Sequence, residues 1–219
     1  MQPTLRAKFR RLTAGIASLL TAAAMTTGVS TAAFASTSLT VRVTHGGKYS
    51  ATAPQILLLD HSVAAVACGT TKAEGALTNG THTGTSPVQL GAISPRQLHN
   101  CDSPIGTGPI TVTFRSLPYR VKADSATNKE GETDLIIPGI NIRESESDCS
   151  FTISGSAAGY YVNATHKLHL TPKLPITPIN KARLTLSHVN GCLGVWKDGD
   201  PMAIVATYKL SIPVKIIST

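Results

Sequence analysis

No stretch after Ser36 combines a 3.6-residue apolar period with a capping residue, so the mature chain does not read as helical. A Gly-x-Ser-x-Gly elbow is also missing. Gly155-Ser-Ala-Ala-Gly159 comes nearest and misplaces the serine, and a strand-to-turn passage accounts for its glycines better than a hydrolase nucleophile does. The lysines and arginines form no stripe with interleaved aromatics, which excludes the usual nucleic-acid footprint. No oxygen-ligand loop of fixed spacing with its turn glycine occurs, and no cofactor motif stands out. Cysteine is absent in and just after the N-terminal apolar run, which excludes an ordinary lipoprotein. The end, Val214 to Thr219, has neither a wall-sorting motif nor a hydrophobic tail.

What is present begins with an export signal. Arg6, Lys8, Arg10 and Arg11 form a basic leader, Leu12 to Val29 is uncharged and rich in Ala, Thr and Leu, and Ala33-Phe34-Ala35 supplies small residues where a signal peptidase reads. The expectation is a secretory signal over 1–35 and a mature domain over 36–219. The apolar run is short and ends in a cleavage site rather than a charged stop, which disfavours a membrane anchor. Arg10-Arg11 lacks the phenylalanine of twin-arginine signals, so the general secretory route is expected. The leader also carries four of the twenty basic side chains. The remaining sixteen against twelve acidic leave a net +4, an ordinary value. Seven of the twelve acids (Asp124, Glu130, Glu132, Asp134, Glu144, Glu146 and Asp148) crowd into twenty-five residues. They read as a solvated loop and hairpin tip, since a cation loop would need a fixed ligand spacing.

Four cysteines in an exported chain, Cys68, Cys101, Cys149 and Cys192, imply two disulfides. Three pairings exist, and the sequential one, Cys68 with Cys101 and Cys149 with Cys192, is expected from a weak internal repeat. In each half a cysteine is followed by a glycine (Gly75, Gly155), then by a run from alanine to a second cysteine (Ala92 to Cys101, Ala182 to Cys192), then by a β-rich strand. The halves would be 36–123 and 124–219. His99 and His188, just before Asn100 and a Val-Asn pair ending at Asn190, suggest a repeated structural role such as a hydrogen bond to a turn.

Period-two alternation dominates the rest. Leu39 to Val43, Phe151 with Ile153, Leu168 with Leu170, and Leu184 with Leu186 alternate with polar residues, whereas Gln55 to Asp60 and Val63 to Ala67 read as central strands. Residues 69–87 read as a Thr/Gly-rich loop and Pro118 as an edge or bend. Leu135 to Ile142 reads as two short strands about Pro138-Gly139, and Lys197-Asp-Gly-Asp200 as a hairpin turn. The fold expected is all-β: an antiparallel β-sandwich or two packed small sheets, a pseudo-duplication stapled by two disulfides.

The order of motifs resembles that of a family of secreted actinobacterial proteins with no assigned activity, over nearly the whole mature chain. The residues that carry the likeness are Cys68 to Gly91, Ile93-Ser94, Asn100-Cys101, Pro104-Ile-Gly106, Ser116-Leu-Pro-Tyr119, Asp148-Cys-Ser-Phe-Thr-Ile-Ser-Gly155, Gly159-Tyr-Tyr-Val-Asn163, Asn190-Gly-Cys-Leu-Gly194 and Asp198-Gly-Asp200. Tyr119 stands where such relatives often have tryptophan. The resemblance implies export and a β-rich fold and carries over no catalytic residue.

Function is expected to be non-enzymatic: an extracellular binding or surface module for a cell-wall polymer, a glycan or another protein, secreted or held at the cell surface. Trp196, Tyr160 and Tyr161 are the candidate contacts; adjacent strand residues face opposite sides, so one tyrosine should be exposed. The alternative is a small hydrolase with a loop-built site walled by 69–87 and 123–134. His166 and His169, three apart in a strand, do not share a face as zinc ligands would. Asp198 and Asp200 read as turn residues, with a bound cation as the other reading.

Overall fold

The structure is a computed structural model and describes residues 38–60, 65–103, 108–171 and 183–219. Its strands, in chain order, are β1 (Ser38–Thr44), β2 (Gly47–Ala53), β3 (Ile56–Asp60), β4 (Ala65–Cys68), β5 (Thr71–Leu77), β6 (Gly80–Thr85), β7 (Val88–Pro95) and β8 (Cys101–Asp102), then β9 (Thr111–Phe114), β10 (Tyr119–Ala123), β11 (Glu132–Ser145), β12 (Cys149–Val162), β13 (Lys167–Leu170), β14 (Leu184–Gly191), β15 (Pro201–Leu210) and β16 (Lys215–Ser218). Among the described residues no helix is long and apolar enough to cross a membrane.

The all-β class and both sequential bridges, Cys68–Cys101 and Cys149–Cys192, are as expected. The sandwich is not what forms. β2, β5, β7, β10, β11, β12, β13 and β15 pair in that order, all antiparallel, and β13 pairs back with β15, so eight strands close into a ring. Closure satisfies both edges of every strand, which two stacked sheets cannot do. The proposed halves supply four consecutive strands each, two arcs that meet at two seams: β10 pairs with β11, and β15 with β2.

Three ring strands are long enough to leave the barrel and build a second, open lobe. The C-terminal half of β11 pairs with β9, the N-terminal half of β12 with β14, and the N-terminal half of β15 with β14 and β3. β3 continues to β4 and then to β8. Both disulfides lie in this lobe. Cys68 and Cys101 face each other across β4 and β8, and Cys149 pairs with Gly191, next to Cys192. A small third sheet, β16–β1–β6, packs its Leu39, Val41, Val43 and Ile216 into the same core. It is tied to the ring by Tyr161, whose hydroxyl donates to the Val214 carbonyl at 2.8 Å, and by Asn163, which bonds both the N–H and the C=O of Ile216.

Tyrosine fills the ring. Four of the five tyrosines, Tyr49, Tyr119, Tyr161 and Tyr208, are buried. An eight-stranded barrel is just wide enough to be filled by side chains, and a phenol brings bulk together with a hydroxyl that must find a partner. The Tyr49 hydroxyl donates to Ala92 O, and that of Tyr119 to Asn141 O at 2.7 Å. Burial raises the pKa of all four, Tyr161 to about 12. Large rings require small neighbours. Tyr49 lies opposite Gly75, where a Cβ would collide with its ring, and at Gly159 a Cβ would collide with the His169 carbonyl.

Three expectations about the strands are corrected. Residues 69–87 are not a loop: Thr71–Leu77 and Gly80–Thr85 are strands, the first with Gly75 where the Tyr49 ring needs the space. Gly155-Ser-Ala-Ala-Gly159 is not a strand-to-turn passage either but lies within the fourteen-residue β12. Likewise Leu135 to Ile142 is one strand with a bulge between Pro138 and Ile140 and Gly139 at φ 74°, not two strands about a corner.

Candidate functional site

The open surface features gather on the outer wall of the ring around β10. This strand is irregular on both sides: its register with β7 shifts between Val121 and Lys122, and with β11 it pairs only at Lys122–Ile136 and Ala123–Leu135 before the bulge at Pro138. A bulge bends its strand and increases local twist. β10 stays paired to β7 along its whole length while its pairing to β11 is limited to two residues, and a groove lies on each side of it. One, of about 470 Å³, is lined by Thr83, Gly84 and Thr85 of β6, Pro87, Val88 and Gln89, and Arg120 and Lys122. The other, of about 390 Å³, is lined by Ser116, Pro118, Tyr119, Pro138 and Gly139 with the same Arg120 and Lys122. The Ser86–Pro87 and Leu117–Pro118 bonds are cis, so each groove has a cis proline at its rim.

Arg120 and Lys122 alternate along β10, on one face and about 7 Å apart, so each projects toward both grooves. Neither has a hydrogen-bond or ion-pair partner among the described residues, whereas Arg96 is paired with Glu74. No carboxylate lines either groove. The next acids along this wall, Asp124 and Asp134, are bonded by Ser86 and Ser125.

The expected contact residues fare differently. Trp196 is 2 % exposed, packed edge-on against Phe151 with ring centroids 4.8 Å apart, so it is core and not a contact. Tyr161 is core as well, for the reason already given. Tyr160 alone points outward: it stacks on His169 with centroids 4.7 Å apart and planes 8° from parallel, and the His169 Nδ1 lies 3.1 Å from the Thr207 hydroxyl. Desolvation lowers the His169 pKa, helped by Lys167. His166 sits in the turn before β13 at φ 55°, its Nδ1 3.5 Å from the Tyr161 hydroxyl, and so does not join His169. Among the described residues no group of three or more His, Cys, Asp and Glu is placed to hold a metal ion.

The turn reading of Asp198 and Asp200 fits the geometry: Asp198 accepts from Val189 N at 2.9 Å and Asp200 from Lys197 N at 2.7 Å, with Gly199 at φ 89°. His99 and His188 share no role. The His99 carbonyl accepts from Gly69 N, while the His188 ring lies beside the Ser187 hydroxyl. Of the supposed walls of a loop-built site, 71–77 and 80–85 are strands, and the segment after β10 is bonded to β16 through Thr127.

Sequence reasoning missed Glu144. Placed with the solvated acids, it is fully buried on β11, opposite Phe151 of β12 and Val112 of β9, and neither carboxylate oxygen has a partner. Burial, then the neighbouring Glu146, push its pKa to about 8 despite Arg143. The signal was the alternation itself: Glu144 continues the inward series of Ile140 and Ile142. The Trp196 Nε1 is the other unpartnered polar group beside Phe151.

Comparison with family models, with curated proteins and with solved structures finds no match to this chain.

Proposed function

We propose that this chain is an exported, non-catalytic binding module that acts outside the cell or at its surface, and that its contact face is the outer wall of the ring at β7, β10 and β11 together with the adjoining strand β6. The observation that supports this most is the pair of open grooves meeting at Arg120 and Lys122: two unpaired cations on a rigid, closed scaffold, with backbone bends exposed on either side. Unpaired charges at the join of two concave surfaces are recognition chemistry, not packing. Export is supported by the leader sequence and by two bridges, which persist in oxidising compartments. The class of partner is a wall polymer, a glycan or a protein; the resemblance to secreted actinobacterial proteins implies export and a β-rich fold.

The test is an amide-resolved NMR titration of the protein with a cell-wall digest and a set of neutral and acidic glycans. Shifts confined to 83–89 and 116–122 are expected. Shifts confined to the open lobe, or cleavage of an added polymer, would overturn the reading.

A further inference from the structure

Resting on that reading, we propose that the ligand of the two grooves is an extended acidic polymer, its charge carried as phosphodiester or carboxylate groups, and that Arg120 and Lys122 clamp successive charges along it. Three features of the wall specify this chemistry. The grooves share both cations and so form one path crossing β10, open at each end, which suits a chain lying across the strands better than a compact ligand. The charge on the path is of one sign, because the lining residues include Arg120 and Lys122 and no acid. The two cations differ in kind: a planar guanidinium binds an oxyanion in bidentate fashion, and an ammonium acts as a point charge. Their spacing of about 7 Å along the strand matches neighbouring charges of one polymer rather than two oxygens of one group.

The rest of the path is neutral and shaped by backbone. Pro87, Pro118 and Pro138 offer flat apolar surface. That surface suits a polymer with partly apolar units between its charges. The acids that follow on the same wall, Asp124 and Asp134, lie outside the lining and oppose passage of an acidic chain toward the β10–β11 connection, so the path is bounded on that side.

The experiment is isothermal titration of the purified protein with poly(glycerol phosphate), polygalacturonate, dextran and a single-stranded oligodeoxynucleotide, each at low and at 0.5 M salt, with Arg120→Gln, Lys122→Gln and the double variant in parallel. Binding of either acidic polymer is expected, the preferred one identifying the charge type. Affinity should fall about tenfold for each single variant, and at least as much in high salt because exposed charges are screened there. Both side chains point to solvent, so folding should persist, and the salt series on the wild-type protein keeps the test valid if it does not. Dextran binding in the same grooves, unmoved by salt or by the variants, would overturn the acidic-ligand inference and leave the binding-module reading standing. Equal affinity for the oligonucleotide would overturn the inference as well, by making the wall a general polyanion surface. No binding by any polymer would sink both.

Discussion

The two lobes finish the same kind of sheet in different ways. The ring closes through β13–β15 pairing, so each of its eight strands has two hydrogen-bonded neighbours, its interior is filled by tyrosines with partnered hydroxyls, and it contains no disulfide. The open lobe runs from β9 to β8 without closing, and both covalent links sit there, one joining the edge strand β8 to β4 and the other joining the start of β12 to the end of β14. It also buries unpartnered polar atoms on Glu144 and Trp196. A strand edge left unpaired exposes backbone and frays, and in this lobe cross-links take the place of closure. The lesson is that stability need not be spread evenly: hydrogen bonding completes one region, and oxidation restrains the other.

The largest effect should come from the polar group that the open lobe fails to satisfy. Glu144 has an ordinary pKa near 4.5 and a folded value of about 8. Below the lower value it is protonated in both states and contributes no penalty. As pH rises toward 8, the unfolded chain releases the proton and the folded chain retains it. Stability should then fall by on the order of 5 kcal/mol across that window and level off above it. Chemical denaturation from pH 4 to 9 should show this decline, and Glu144→Gln should flatten it and stabilise the protein at pH 8. An unchanged slope in the variant would remove the contrast between the lobes.

Next in size is a bridge. The two links span sequence separations of 33 and 43 residues, for which chain-entropy loss gives about 4 kcal/mol each. Replacing Cys149 and Cys192 together by alanine should lower stability by about that amount in guanidinium unfolding. Tyr161→Phe should cost about 1 kcal/mol by leaving the buried Val214 carbonyl without its donor, and should speed amide exchange in β16 more than in β10. The smallest change sharpens the picture of the stapled end. Residues 191–194 all have positive φ, and Leu193, at 49°, is 82 % exposed. Leu193→Gly relieves that conformation without removing a packed side chain, and should stabilise the protein by about 1 kcal/mol.

Much of the strand content was legible because alternation is local: Leu39 to Val43, Phe151 with Ile153, and Leu168 with Leu170 face where their period places them. The bridges were legible too, as parity and order. Closure was not, because it is set by the pairing of β13 with β15, some forty residues apart, and no local pattern encodes which edge meets which. The strands at 71–85 were hidden because Gly75, Gly80, Gly84 and their small neighbours have low strand propensity, and they are strands because β5 pairs with β2 and β7 and β6 with β1. Trp196 looked like a contact because a lone tryptophan beside a turn fits that role, yet the 3₁₀ turn after Cys192 carries it inward onto Phe151. The grooves depend on bulges either side of β10, which only the registers reveal.

The most direct test of the central claim is amide hydrogen exchange on oxidised and on reduced protein. Closure by hydrogen bonds predicts that β5 and β7, paired along both edges, exchange slowest in both states. Reduction should accelerate β4, β8 and the 149–155 segment by a larger factor than it does those ring strands. If reduction accelerated ring and open lobe by the same factor, or left β8 as protected as β7, the division of the molecule into a self-closing and a cross-linked region would be wrong.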